Sequence, residues 1–184
     1  MSQQHYLKWL GEKLIGKGYR SSLVSVGYAF DDAETKVIHF DLYRLRASAG
    51  VLPIDGDGNV YLLNEFVPSA GEWQLGIARG GIEVSKNESP EVAARRELQE
   101  EMGLACDTLT PLWAGYAAPN ASDWHYTLFL GEGLLDVVKG GGDEVYPMDV
   151  VKVPLREAVA MVKRGEIKSS AAAIAILMAG MERL

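Results

Sequence analysis

A helix is predicted over Ser89–Met102, and both of its ends are marked in the sequence, which limits the folds open to this chain. Ser89 can cap the first turn, Pro90 suits the first helical position, and Gly103 suits the position just past the end. Its apolar residues, which we expect to face a core, are Val92, Ala93, Leu98 and Met102. A helix with such clear ends indicates a folded domain around it.

Three glutamates of this helix lie where they disfavour it. Glu97, Glu100 and Glu101 are spaced i, i+3 and i+4, so their carboxylates share a face and repel one another. They also stand near the C-terminal end of the helix, whose dipole favours cations. A divalent cation would reverse both effects, and Mg²⁺ or Mn²⁺ suits carboxylate oxygens. The residues alone leave a metal site and a solvated acidic face as equal alternatives.

The rest of the chain predicts alternating strands and helices. Trp9, Leu10, Leu14 and Ile15 recur at helix-like spacing, although glycines among them weaken that interpretation. A hairpin is predicted at the glycine-containing turn between Val51–Ile54 and Val60–Leu63. The other predicted strands are Leu23–Phe30, Lys36–Leu45, Leu112–Ala118, Trp124–Leu130 and Val150–Val153, and the closing helices are Pro154–Arg164 and Ser170–Arg183. This order favours an α/β (α+β) fold with a mixed sheet and helices on its faces.

Composition excludes several classes of protein. The 184 residues carry a formal net charge of −7, which argues against a nucleic-acid binder. No stretch is long and apolar enough to predict a membrane span, and lysines interrupt the N-terminal region where a signal peptide would lie. Cys106 is the only cysteine, which predicts a reducing, cytoplasmic setting.

The order of residues around the helix resembles a known signature. Glu88, a seven-residue gap and then the run Arg96–Leu104 (RELQEEMGL) resemble the motif of the Nudix hydrolases. One departure is the spacing from Gly81 to Glu88, which is six residues where the family usually has five. The resemblance implies an α/β/α sandwich with a mixed central sheet over residues 49–184. Residues 1–48 are then a small β-rich N-terminal element that could form a dimer interface.

Other segments resemble the ADP-ribose and ADP-sugar branch of that family. The run Trp73–Gly80 is similar to the segment before the motif in this branch, although Gln74 stands where glutamate is usual. Pro119 lies 15 residues beyond Leu104, near where a proline marks the branch. Asp143 and Glu144 resemble its acidic loop, and the ADP-compounds hydrolases are the group most similar in these features.

The resemblance implies Mg²⁺-dependent (or Mn²⁺-dependent) hydrolysis of a nucleoside diphosphate linked to another moiety, most simply ADP-ribose or another ADP-linked compound. Alternatives are GDP-mannose, a diadenosine polyphosphate, NADH or a nucleoside triphosphate as substrate, and a non-catalytic nucleotide sensor. The expected partners are a small-molecule nucleotide and a second copy of the chain; no nucleic acid, membrane or organic cofactor is expected.

The resemblance also assigns roles to residues. The catalytic residues it implies are Arg96, Glu97, Glu100, Glu101 and Glu144. Glu144 is the candidate general base and Asp143 the second candidate, with an exposed acidic turn as the alternative. The metal ligands it implies are Glu97, Glu100, Glu101, Glu144 and a backbone carbonyl at Gly81 or Gly80. The candidate substrate contacts are Arg79, Pro119, Trp124, Tyr28 and Arg44, the last two across a dimer. The alternatives are a solvated loop side chain for Arg79 and a core-packing strand for Trp124.

Overall fold

The computed structural model describes residues 7–30, 33–140 and 148–184. The strands are β1 Leu7–Lys17, β2 Ser21–Phe30, β3 Ala33–Leu45, β4 Ser48–Pro53, β5 Asn59–Val67, β6 Glu72–Gly76, β7 Ala78–Gly81, β8 Leu104–Tyr116, β9 His125–Asp136 and β10 Asp149–Pro154. The α-helices are α1 Pro90–Glu97, α2 Leu155–Lys163 and α3 Ser170–Arg183. The chain forms two compact units, one of residues 1–46 and 116–124, the other of residues 47–115 and 125–184.

The first unit contains an antiparallel sheet in the order β1-β2-β3. The helical interpretation of Trp9 to Ile15 was therefore wrong, because this segment is strand β1. The pairing with β2 shifts register between Trp9 and Gly11 and again between Leu14 and Gly16. Each irregularity leaves one extra residue in the strand, Leu10 and then Ile15, so the alternation of every second residue is lost. Leu10 and Leu14 then stand four residues apart, which imitates a helical period.

The second unit has a mixed sheet at its centre, in the order β7-β4-β9-β8. Strand β4 runs parallel to β9 and antiparallel to β7, and all of its six residues are buried. Helices α1 and α3 both pack against β4. A strand that is buried along its whole length must be covered on both faces, so helices and sheet form the predicted layered α/β arrangement.

The predicted turn between Ile54 and Val60 is present, but its two strands do not form a hairpin. The Gly58 N–H donates to the Asp55 carbonyl at 3.1 Å, and Ile54 and Val60 form an isolated antiparallel bridge. Beyond that bridge the strands separate, because β5 pairs with β10 and β6 in a second sheet. The turn chemistry was predicted correctly, whereas the pairing partners depend on distant strands.

The segment Ser89–Gly103 has the predicted ends. The Ser89 hydroxyl accepts a hydrogen bond from the Val92 N–H at 3.3 Å, and Gly103 adopts a left-handed conformation with φ 67°. After α1 the chain continues as a π-helical turn, Leu98–Met102. Val92 is 56% exposed, against the prediction that it faces the core, and Ala94 is fully buried in its place.

The helices after the mixed sheet agree with the predicted ones, since α2 and α3 lie within a residue of the expected bounds. Helix α3 presents its alanines to the core, where Ala171, Ala172 and Ala175 are almost fully buried. Within the described ranges, no helix is both long and apolar enough to cross a membrane.

Candidate active site

Four glutamates, Glu88, Glu97, Glu100 and Glu101, form what we call the glutamate cluster, and Arg96 contacts three of them. Its Nε donates to Glu88 Oε1 at 2.8 Å, while its Nη1 donates to Glu97 Oε1 at 2.6 Å and to Glu100 Oε2 at 3.1 Å. Its Nη2 donates to the Gly81 carbonyl at 3.1 Å. These carboxylates raise the pKa of Arg96, with the hydrogen bond to Glu88 contributing most. One guanidinium therefore gathers three carboxylates and the strand β7 backbone at one place.

Glu88 connects this cluster to the loop before α1. Its Oε2 accepts a hydrogen bond from the Glu83 backbone N–H at 2.7 Å as well as from Arg96 Nη2 at 3.2 Å. The hydrogen bonds from Arg96, followed by that from Glu83, lower the pKa of Glu88 despite its burial. This loop is one residue longer than the family pattern suggests, and Glu88 closes it onto the helix.

Glu101 contacts the backbone of strand β7 two residues before Gly81. Its Oε2 accepts the Arg79 backbone N–H at 3.0 Å. Burial, with the nearby negative charge of Glu97 second, raises the pKa of Glu101 to about 8. A carboxylate held in this environment favours a cation nearby, because a cation would offset both the burial and the repulsion.

Gly80 lets strand β7 approach the carboxylate of Glu97. A Cβ added at position 80 would lie 2.0 Å from Glu97 Oε1, 2.2 Å from its Cδ and 2.5 Å from its Oε2. Glu97 is only 8% exposed, so its carboxylate has little room to retreat. The glycine is thus required by space at this position, and the sequence alone had shown only a pair of glycines.

The donor chemistry of this cluster fits a divalent cation. It combines carboxylate oxygens of Glu97, Glu100 and Glu101 with the Gly81 carbonyl, and oxygen ligands of this kind suit Mg²⁺ or Mn²⁺. In the described part of the chain, no three acidic, histidine or cysteine side chains are already grouped closely enough to hold an ion. The positive charge between Glu97 and Glu100 is supplied here by the Arg96 guanidinium, whose N–H groups donate to oxygens of both carboxylates.

The expected acidic loop lies outside the described residues, and with it both Asp143 and Glu144. The segment that leads to it is described. Its Val137 N–H donates to the Gly103 carbonyl at 2.9 Å, and Gly140 N–H to the Gln99 carbonyl at 3.3 Å. A Cβ at position 140 would lie 3.1 Å from Glu100 Cγ. The segment up to Gly140 therefore lies directly beside the π-helical turn Leu98–Met102.

The other candidate substrate residues belong to the first unit. Arg44 donates to Glu12 Oε2 at 2.6 Å and to Asp123 Oδ2 at 3.2 Å, and the hydrogen bond to Glu12 is the main cause of its raised pKa. Tyr28 packs edge-on against Phe40, with ring centroids 6.1 Å apart. Trp124 is partly buried and Pro119 is exposed. Arg79 alone among these candidates belongs to the unit that holds the glutamates.

Sequence reasoning missed Glu65 of strand β5. Its Oε1 lies 3.2 Å from Arg79 Nη2, and its side chain is 21% exposed. The signal available in the sequence was a charged residue within a strand that is otherwise largely apolar, two positions after the buried Leu63.

Comparison with known proteins assigns the fold and the family. Residues 44–170 match the sequence profile of the NUDIX domain. The chain is 29% identical over 174 residues to an ADP-ribose pyrophosphatase of Bacillus subtilis (strain 168), covering 92% of this chain and 93% of that one. It is 30% identical over 131 residues to an ADP-ribose pyrophosphatase of Mycobacterium tuberculosis, covering 71% of this chain and 63% of that one. A crystal structure of an ADP compounds hydrolase shares the fold at a TM-score of 0.82, with 21% identity and coverage of 99% of this chain and 96% of the other.

The profile match spans well over half of the chain and includes the whole glutamate cluster. The protein therefore belongs to the Nudix family and is a hydrolase. This confirms the family and the enzyme class that the motif around Arg96 predicted.

Proposed function

We propose that this hydrolase cleaves the diphosphate bond of ADP-ribose or another ADP-linked compound, with Mg²⁺ as cofactor, and releases AMP and a phosphorylated product. The observation that carries the proposal is the set of carboxylates that Arg96 gathers beside strand β7. The names of the two relatives, both ADP-ribose pyrophosphatases, support the choice of substrate class.

In this proposal Glu97, Glu100 and Glu101 hold the cation together with the Gly81 carbonyl and Glu144. Mn²⁺ could replace Mg²⁺, because both prefer oxygen ligands. When bound, the cation neutralises charge on the diphosphate and makes water easier to deprotonate. An acidic protein with a net charge of −7 needs such a counter-charge to accept an anionic substrate.

The chain's own residues orient the reaction. Arg96 keeps the carboxylates of Glu97 and Glu100 at fixed positions, and the Arg79 guanidinium binds phosphate oxygens. Water attacks one phosphorus, the bridging P–O bond breaks with its electrons going to the leaving phosphate, and Glu144 accepts the proton from the attacking water. A Glu144→Gln variant should therefore lose about 10²–10⁴-fold in kcat, and an unchanged kcat would refute this role.

We propose residues 1–48, nearly all of which belong to the first unit, as the dimerising element. Strand β1 is at the edge of its sheet and exposes Trp9 at 59% and Leu14 at 58%. An apolar edge strand of this kind is a surface that a second copy of the chain can cover. Tyr28, Arg44, Pro119 and Trp124 are proposed to contact the nucleotide in that dimer.

A cytoplasmic location is also proposed. It is supported by the single cysteine, Cys106, which is unpaired and buried.

The test is a hydrolysis assay with ADP-ribose, other ADP-sugars, GDP-mannose, diadenosine polyphosphate, NADH and nucleoside triphosphates, with and without Mg²⁺. Glu100→Gln should nearly abolish turnover, whereas Glu91→Gln, an exposed glutamate on the same helix, should leave it unchanged. Turnover without any divalent cation, or a fully active Glu100→Gln variant, would refute the proposed site.

The same assay separates the alternative functions. Preferential cleavage of GDP-mannose, diadenosine polyphosphate, NADH or a triphosphate would keep the chemistry and change the substrate class. Tight binding of ADP-ribose with no turnover of any substrate would indicate a nucleotide sensor in place of an enzyme.

A further inference from the structure

Glu65 is a charged residue in a largely buried position that the roles described above leave unexplained. It lies on strand β5 opposite Gln74 of β6, and its carboxylate pairs with Arg79 at 3.2 Å. Only 21% of the Glu65 side chain and 27% of the Arg79 side chain is exposed. Removing charges from water to this extent is costly, so the pair needs a purpose or a further partner.

Gly76 leaves the space that this carboxylate occupies. A Cβ added at position 76 would lie 2.3 Å from Glu65 Oε1 and 3.2 Å from its Cδ. The backbone of Gly76 is outside the left-handed region, so its conformation does not demand glycine. The absence of a side chain at position 76 thus serves the placement of Glu65.

Arg79 has hydrogen-bonding capacity beyond this pair. Its guanidinium has five N–H donors, and within the described residues only the bond from Nη2 to Glu65 uses one of them. Its Nε is buried and has no hydrogen-bond partner there. A buried donor without an acceptor destabilises the protein, so an anion that reaches the guanidinium would relieve that cost.

The position of Arg79 relates this capacity to the site. Its backbone N–H donates to Glu101 at 3.0 Å, and it directly precedes Gly80, which touches Glu97. The residue that carries this guanidinium therefore also connects strand β7, through its backbone, to the π-helical turn Leu98–Met102.

We propose that Glu65 is a positioning residue: it holds one edge of the Arg79 guanidinium so that the remaining N–H groups receive an oxygen of the substrate's diphosphate, and Gly76 provides the room. This inference rests on the proposed function. Arginine suits the role because its planar donors fit phosphate oxygens, and its orientation must be fixed for that fit to be specific.

The experiment is a double-mutant cycle measured with ADP-ribose and Mg²⁺. Glu65→Ala should lower kcat/KM by about tenfold or more, chiefly through KM, as expected when a charge-assisted hydrogen bond to an anion is weakened. Glu65→Gln should retain most of the activity, because its amide oxygen still accepts the Arg79 N–H. In an Arg79→Ala background, Glu65→Ala should have no further effect.

Glycine variants give an independent comparison. Gly76→Ala should reproduce the loss seen in Glu65→Ala, because its Cβ displaces the carboxylate. Gly56→Ala is the matched control, since a Cβ at position 56 meets no atom within 4 Å. Thermal unfolding of every variant shows whether it is folded, and the Glu65→Gln and Gly76→Ala variants keep the test informative if Glu65→Ala unfolds.

Two results overturn the inference but not the proposed function, provided that the wild type is active. Glu65→Ala leaves kcat/KM unchanged, or its effect adds fully to that of Arg79→Ala. Coupling of the pair in thermal stability alone overturns the inference too, because it indicates a structural ion pair. If the wild type binds ADP-ribose without turnover, the proposed function fails, and the same cycle in dissociation constants decides the inference. If it neither binds nor cleaves ADP-ribose, both fail.

Discussion

Replacing Gly80 with alanine should disable the site while the fold survives. The new Cβ would lie 2.0 Å from Glu97 Oε1, whereas ordinary contacts begin at 3.4 Å, so the carboxylate must move by about 1.4 Å. Misplacing a catalytic group by about 1 Å can cost about 10²-fold in rate. Forcing one carbon into a packed site typically costs about 1–3 kcal/mol of stability. We therefore expect kcat to fall by about a hundredfold and the protein to remain folded.

The assay measures kcat for ADP-ribose across a Mg²⁺ titration, together with thermal unfolding. Gly56→Ala is again the control, because an alanine there meets open space. A Gly80→Ala enzyme with the kcat and Mg²⁺ dependence of wild type would refute the claim that Glu97 must occupy its present position. A variant that fails to fold would show instead that the close approach of Gly80 is mainly a packing requirement.

Arg96→Lys should lower kcat by at least about tenfold, because one ammonium cannot reproduce the separate hydrogen bonds to Glu88, Glu97 and Glu100. Activity equal to wild type in the hydrolysis assay would contradict the role of Arg96 in joining these carboxylates. Because the pKa of Glu101 is raised to about 8 from an ordinary value of 4.5, its contribution to stability is present at low pH and is lost as pH rises from about 4.5 to about 8. In denaturant titrations of the metal-free protein, the free energy of unfolding should fall over this pH range, and it should fall less in the Glu101→Gln variant. The same slope of unfolding free energy against pH in both proteins would count against a buried, repelled carboxylate. In ultracentrifugation the 20.0 kDa chain should sediment as a dimer, and Trp9→Ser should shift it toward monomer whereas Tyr19→Ser, at a 93% exposed turn position, should not; a monomeric wild type would dismiss the role of β1.

Local sequence patterns predicted those parts of the fold whose causes are local. The cap at Ser89 and the left-handed Gly103 follow from short-range hydrogen bonding and backbone preference, and both are present. Helices α2 and α3 were likewise predicted nearly to the residue. The turn at Asp55 formed for the same reason, although its strands joined different sheets.

Predictions failed where pairing or packing between distant segments decides. The spacing of apolar residues in strand β1 indicates a helix only because register shifts change that spacing, and those shifts exist only in the pairing with β2. Residue type predicts Val92 in the core, yet it is exposed, because the direction from which α1 meets β4 determines the buried side of the helix.

Residue types and their spacing along one helix and the turn that follows it predict the family and single out these glutamates, because the whole motif lies within a short stretch of the chain. Only the tertiary structure showed that Arg96 joins Glu88, Glu97 and Glu100, that Gly80 makes room for Glu97, and that Glu65 holds Arg79. These relations depend on how strand β7 lies beside α1 on one side and reaches Glu65 of strand β5 on the other. Contacts between residues far apart in the chain follow from sheet register and packing, which no local spacing encodes.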